Sequence, residues 1–254
     1  MDLAAHRLGG QVGRPEDLGD GGAFGAEADR VGHDGRPPNV VSEGSTRMFA
    51  REAGPADRVR PMRVGLISDT HIPEARYELW PQVFEAFRGV DCILHAGDIH
   101  DLVVIDQLHD VAPTWAARGN GEDGSGGRPI QPDHPLLRES WLLDLDGLKV
   151  GLTHDVPIPE YPPNLTLERA LNRYFGTTEL DVLIYGDTHV EAINQINGVL
   201  CVNPGSPTYP HNLDTQFGTI GFLEISGGKA EATIWQLTEH GIEPFDWTKW
   251  KRPW

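Results

Sequence analysis

The hydrophobic pattern changes character at residue 62. Before it, large apolar residues stand singly (Leu18, Phe24, Val31) or in pairs (Val40–Val41, Met48–Phe49), with no period of two or 3.6. From Met62 the run Met62-Arg63-Val64-Gly65-Leu66-Ile67-Ser68 predicts a buried strand. Leu79, Val83, Ala86 and Phe87 share a helical face, with Pro81 tolerable in the first turn and Gly89 suited to end the helix. A strand over Asp91–Ala96, a helix over Asp101–His109 and a strand over Pro113–Arg118 follow. A polar, Gly-rich loop runs from Gly119 to Pro135. Leu136–Leu145 and Leu148–Thr153 flank Asp146-Gly147, a two-residue hairpin signal. Asn164–Phe175 reads as an amphipathic helix ending at Gly176, and Asp181–Tyr185 as a buried strand. Asn197-Gly198 and Gly227-Gly228 mark two more hairpins, between Glu191–Ile196 and Val199–Val202 and between Thr219–Ile225 and Ala230–Leu237. The chain opens as βαβαβ and closes in hairpins, which predicts an α/β fold with two β-sheets packed together and helices outside.

Composition sharpens the boundary. Residues 1–61 hold 11 of the 30 glycines and 5 of the 20 prolines. Such a segment buries too little surface to offset its ordering entropy. It reads as a disordered N-terminal extension, and 62–254 as a single domain. A strand that opens on Met62 favours an upstream start over a flexible regulatory tail. Cys92 and Cys201 lie in apolar runs and read as reduced core thiols of a cytoplasmic protein. No run of about 18 apolar residues is present to span a membrane, and no apolar leader is present at the N-terminus.

The net charge is −17. Nucleic-acid polymers and anionic membrane surfaces are poor partners for such a chain, because both need clustered Lys and Arg. The C-terminal tryptophans (Trp235, Trp247, Trp250, Trp254) read as packing or as a homo-oligomer contact.

The chemistry follows the strands. Asp69-x-His71, Gly97-Asp98, Gly119-Asn120, His154 and Gly186-Asp187-Thr188-His189 each come directly after an apolar run. In α/β sheets the carboxyl ends of strands share one crevice, so these groups are expected to converge. A spacing of two puts both side chains of Asp-x-His on one side of an extended backbone. Glycine before Asp98, Asn120 and Asp187 relaxes the backbone for a sharp turn. Asp69, Asp98 and Asp187 bring three negative charges together, and uncompensated repulsion would resist folding. Two divalent cations would balance them. Carboxylate, imidazole and amide donors suit Mn²⁺, Fe²⁺, Ni²⁺, Co²⁺ or Zn²⁺, and the lack of thiolate speaks against a structural zinc site. The resulting positive centre suits a small phosphate ester and in-line attack by a metal-bridging hydroxide.

These motifs, in this order, resemble the calcineurin-like metallophosphoesterase superfamily, and most of all its small bacterial and archaeal phosphodiesterases. The residues are LISDTH (66–71), LHAGD (94–98), RGN (118–120), LTHD (152–155), YGDTH (185–189) and VNPGS (202–206). The resemblance implies a four-layer α/β/β/α sandwich of two mixed sheets. It implies that Asp69, His71 and His189 ligate a first metal, that Asp98 bridges, and that Asn120 and His154 ligate a second. Asp187 stands where a second-metal histidine is commoner, a harder ligand that shifts preference toward Mn²⁺ or Fe²⁺. Gly205 and Ser206 are expected to turn backbone N–H groups to phosphate. Arg118 is expected to pair with phosphate or neutralise nearby acids. Larger relatives carry a histidine, a general acid, where this chain has Gly121. His100, Glu122 and Asp123 are the nearby candidates for that proton, although His100 equally suits a solvated helix start and His95 a buried core histidine. The function so implied is phosphodiester hydrolysis. The alternatives are a phosphomonoesterase or protein phosphatase of the same fold, or a non-catalytic scaffold like the retromer subunit that keeps this fold as a binding surface.

Overall fold

Period-two burial along the strands sorts the core into three layers. In the strand Met62–Ile67 (β1), Val64 and Leu66 face one way and Ile67 the other, all with no exposed surface. The chain continues through helix α1 (Pro81–Ala86), β2 (Cys92–His95), α2 (Val103–Val111), β3 (Thr114–Ala117), β4 (Leu137–Arg138), β5 (Trp141–Leu145) and β6 (Leu148–Leu152). Then come α3 (Leu167–Phe175), β7 (Val182–Ile184), β8 (Ala192–Ile196), β9 (Val199–Asn203), β10 (Thr219–Ser226), β11 (Lys229–Thr238) and β12 (Gly241–Pro244). The computed structural model describes residues 60–160, 163–211 and 217–249. The extension expected over 1–61 falls, except for its last two residues, outside the described residues, as do Trp250 and Trp254.

A seven-stranded sheet runs β12-β11-β10-β1-β2-β3-β4, and a five-stranded sheet runs β5-β6-β7-β9-β8. Both are mixed. β1, β2, β3 and β4 are mutually parallel, while β10, β11 and β12 add antiparallel. In the second sheet β6, β7 and β9 are parallel and β5 and β8 antiparallel. Val64, Leu66, Leu94, Leu223, Leu143, Val150, Val182 and Val202 fill the layer between the sheets. Ile67, Ile93 and Phe222 pack outward on Val83, Phe87, Ile105 and Leu108 of the first two helices and their flanks. Leu183 and Cys201 pack outward on Leu167 and Leu171 of α3. The layering is α/β/β/α, as expected.

The hairpin turns form where Asn-Gly, Asp-Gly and Gly-Gly stand. Both residues of each pair have positive φ: Asp146 52° and Gly147 84°, Asn197 50° and Gly198 87°, Gly227 57° and Gly228 72°. That geometry matches the right-handed twist of the flanking strands. Thr166 caps α3 by accepting from the Arg169 N–H, and Gly176 closes it at φ 64°.

One expectation changes and one strand is added. Leu136–Leu145 is not one strand. It breaks at Glu139-Ser140, with β4 pairing to β3 in the first sheet and β5 to β6 in the second. The polar pair Glu139-Ser140 interrupts the apolar positions, and the chain crosses between sheets there. The chain also adds β12, which pairs antiparallel with β11 beyond Glu239-His240. β12 lies at the sheet edge, where its Pro244 is tolerated.

Candidate metal centre

Six strand ends meet at one edge. β1, β2 and β3 deliver Asp69, Asp98 and Asn120 just past their carboxyl ends; β6, β7 and β9 deliver His154, Asp187 and the 203–206 loop. The two parallel triplets bring these ends together across the sandwich.

The backbone there is not extended, contrary to the expectation for Asp-x-His. Asp69 and His71 have φ of 53° and 45°, Asp187 and His189 of 69° and 57°. A third copy, Asp98-Ile99-His100, does the same at 54° and 70°. Left-handed non-glycine residues are uncommon and cluster at functional sites. Neighbouring loops hold them in place. The Asp69 N–H donates to Gly97 O at 2.9 Å, His71 N–H to Asp98 O at 3.0 Å, and Ser206 Oγ–H to Asp69 O at 2.7 Å. Of the three preceding glycines, Gly97 has a φ of 90°. Gly119 and Gly186 serve by their lack of bulk, since a Cβ there would collide with the Asp98 carboxylate and with Ser68 and Ala96 respectively.

Asp69, His71, Asp98 and His189 are buried, and each places one ligand atom within 4.8 Å of the others, a group able to hold a metal ion. His71 Nε2 lies 3.1 Å from His189 Nε2 and 3.3 Å from Asp98 Oδ2. The other Asp98 oxygen, Oδ1, lies 3.3 Å from His154 Nε2. His154 Nε2 is also 3.1 Å from Asn120 Oδ1 and 3.6 Å from Asp187 Oδ1. One carboxylate thus faces two donor sets.

The hydrogen bonds behind the rings fit a cation. His189 Nδ1–H donates to Tyr209 O at 2.8 Å and His154 Nδ1–H to Ala96 O at 2.7 Å. Both Nε2 atoms are thereby aimed at the cluster as ligand nitrogens, the arrangement that backbone carbonyls impose on metal-binding histidines. Without a cation the charges are ill matched. Burial, aided by Asp98 and Asp187, holds the Asp69 carboxyl well above the usual range. Burial and the neighbouring His189 and His100 press His71 down to about 2. Burial presses on His154 too, but Asp98, Asp187 and Asp69 outweigh it and raise the imidazole.

His95 is a fully buried core histidine that accepts from the Gly97 N–H at 3.2 Å and meets Thr70 Oγ1 at 3.0 Å. Burial, with His154 beside it, lowers it to about 3. The unfolded chain therefore binds a proton below about pH 6.5 that the fold refuses until about 3, so His95 makes stability fall as pH falls through that window. His95→Gln retains an acceptor and a donor and is expected to flatten the slope. Urea unfolding of both metal-free proteins at pH 7.5 and pH 5 measures it; an unchanged slope contradicts the assignment.

Several expected residues sit differently. His100 is no solvated helix start. Its side chain is 9% exposed, its Nδ1 lies 3.1 Å from Glu74 Oε2, and its buried Nε2 has no hydrogen-bond partner. The ring fills the room that a side chain at Gly121 would need. His71, Glu74 and His100 form a second group able to hold an ion. Arg118 does not reach into the centre. It donates to Glu122 O, Gln131 O and Pro132 O, stapling the loop that carries Asn120. The Gly205 N–H is taken by Asn203 Oδ1 at 2.9 Å, and Ser206 is fully buried beneath Asp69. The 203–206 loop thus supports Asp69 rather than offering the Gly205 amide to phosphate.

Glu122 has a role that local reading missed. It is fully buried and accepts from four backbone N–H groups: Ile99 at 2.7 Å, His100 at 2.7 Å, Gly119 at 2.8 Å and Asp98 at 3.2 Å. One carboxylate clamps the loops that present Asp98 and Asn120.

Among the described residues no helix is long and apolar enough to cross a membrane. A family model, the calcineurin-like phosphoesterase superfamily domain, matches residues 62–228. A probable metallophosphoesterase of Methanothermobacter thermautotrophicus is 37% identical over 175 residues, 68% of this chain and 91% of that protein. A phosphodiesterase of Methanocaldococcus jannaschii is 26% identical over 151 residues, 57% of this chain and 83% of that one. In fold, Vacuolar Protein Sorting 29 from Cryptosporidium parvum superposes with a TM-score of 0.57 at 20% identity, covering 72% of this chain and 95% of that one. The likeness spans archaeal and eukaryotic proteins, so it is broader than the small phosphodiesterase branch. Motif order, layering, the buried Asp/His cluster and the matched model together place this chain in the calcineurin-like phosphoesterase superfamily.

Proposed function

We propose that this protein is a metal-dependent phosphoester hydrolase acting first on phosphodiesters. The observation that carries the reading is Asp98, whose two oxygens face His71 and His154. Asp69, His71, Asp98 and His189 would hold one cation; Asp98, Asn120, His154 and Asp187 would hold the other. Mn²⁺ or Fe²⁺ is favoured over Ni²⁺, Co²⁺ or Zn²⁺. When bound, two such ions supply Lewis-acid charge at the phosphate and activate a water. The chain's own residues orient the ligands, exclude water behind them and handle the leaving group. Arg118 acts by holding the Asn120 loop.

Of the three candidates for the leaving-group proton, Glu122 has both oxygens occupied. The Asp123 carboxylate is exposed and accepts from the Ser125 N–H. His100 alone turns an unpartnered buried nitrogen, Nε2, toward the space at Gly121. The proposal assigns the donor to it. His100→Ala should slow an alkyl diester at least about tenfold more than a p-nitrophenyl ester, because general acids matter most for poor leaving groups. Equal slowing of both would remove His100 from that role.

The test of the reading is turnover of bis(p-nitrophenyl) phosphate with Mn²⁺, compared with p-nitrophenyl phosphate on the same preparation. Faster diester turnover is expected; faster monoester turnover favours the phosphatase alternative. The likeness to Vacuolar Protein Sorting 29 favours a second reading, a scaffold of this fold that does no chemistry. No turnover with Mn²⁺, Ni²⁺ or Co²⁺ would support it.

A further inference from the structure

Tyr209 stands at the mouth of the cluster, and the reading above gives its ring no task. Its main chain is fixed at both ends: the N–H donates to Ser206 Oγ at 2.8 Å, and the carbonyl accepts from His189 Nδ1–H at 2.8 Å. The ring meets His189 and His71 edge-on, with centroids 5.2 Å and 5.9 Å away. His211 stacks on His189 at 4.5 Å and meets Tyr209 at 5.8 Å. Yet Tyr209 is 55% exposed. A large aromatic ring, immobilised against two metal-ligand candidates and left half bare, is a prepared stacking surface. Aromatic pairs gain from offset or edge-on contact beyond the area they bury, and a ring fixed in advance loses little freedom on binding.

On the far side of the cluster the cleft differs in character. Arg118, Asp123, Asp155, Arg173 and Tyr174 line the space beside Asn120. That side is polar; the Tyr209 side is aromatic.

We infer that Tyr209 seats an aryl group of the ester, one or two bonds from the phosphorus held at the cluster. The inference rests on the phosphoester reading. It makes Tyr209 a specificity residue, one that chooses among esters sharing the same reacting phosphorus.

Two small probes isolate this effect from leaving-group chemistry. Phenylphosphonate and methylphosphonate carry the same anionic head and differ in the group that would reach Tyr209. Calorimetric titration of the Mn²⁺-loaded protein should show phenylphosphonate binding about tenfold tighter, the order expected when an aromatic group stacks on an aromatic side chain. Tyr209→Ala keeps the carbonyl that holds His189, so the ratio should collapse toward one while Mn²⁺ still binds. Tyr209→Phe should keep it. A ratio unchanged in Tyr209→Ala, or no aromatic preference in the unaltered protein, overturns the inference and leaves the phosphoesterase reading standing. Failure of both phosphonates to bind the Mn²⁺-loaded protein overturns that reading and this inference with it.

Discussion

Asp98→Asn should abolish Mn²⁺-dependent hydrolysis of bis(p-nitrophenyl) phosphate, lowering kcat/KM by more than about 10²-fold. Loss of residues that merely orient metal ligands costs 10–100-fold, and Asp98 is placed to touch both donor sets. A folding defect is not the expected cause of the loss. In the metal-free protein Asp98 both raises Asp69 and supports the charged His154, opposing effects, so removing it should change thermal stability little. The two proteins separate once metal is added. A ligand at a hundred times its dissociation constant stabilises by about 2.7 kcal/mol. Mn²⁺ should therefore raise the Tm of the unaltered protein, by several degrees for a domain of this size, and leave Asp98→Asn almost unmoved. Differential scanning calorimetry with and without Mn²⁺ measures both effects. An Asp98→Asn protein with undiminished turnover would contradict the assignment.

Glu122→Ala should be the most damaging single substitution outside the proposed ligands. It strips the acceptor from four buried N–H groups, and an orphaned buried donor costs about 1–3 kcal/mol. Even with water entering, the total approaches the 5–15 kcal/mol that holds a typical domain together. Little soluble protein is expected. Glu122→Gln is the informative variant. It keeps one oxygen and turns an NH₂ group against two donors, so the protein should fold with a lowered Tm. The Asp98 and Asn120 loops should then shift, and Mn²⁺ affinity by calorimetry should fall about 10- to 100-fold. A Glu122→Gln protein that is destabilised but binds Mn²⁺ normally would reduce Glu122 to a structural brace.

Sequence and structure agree where physics is local. Apolar runs ending in Asp, Asn or His predicted both the strands and the place where their ends meet, because parallel strands must present their carboxyl ends together. Paired turn residues located the three hairpins through their positive φ. What escaped depends on distant partners. Within Leu136–Leu145 the polar pair Glu139-Ser140 marks where the strand breaks, but the sheet that each half joins is set by partners distant in sequence. Glu122 looks like any loop acid until three amides of the 98–100 segment and the Gly119 amide of its own loop converge on it. His100 reads as a helix start from its neighbours, but the repeat Asp-x-His at 69–71, 98–100 and 187–189 was present as a signal. Arg118 and Gly205 looked free for phosphate because the carbonyls and the Asn203 side chain that occupy them act through folded geometry. The net charge of −17 also changes meaning: three of its acids, Asp69, Asp98 and Asp187, stand together at one site.

The most direct test of the central claim is stoichiometric. Metal-stripped protein is titrated with Mn²⁺ while bound metal and bis(p-nitrophenyl) phosphate turnover are followed together. Activity that rises with bound Mn²⁺ and saturates at two ions per chain is the expected result. Fewer than one ion per chain, with no turnover when Ni²⁺ or Co²⁺ replaces Mn²⁺, would contradict it.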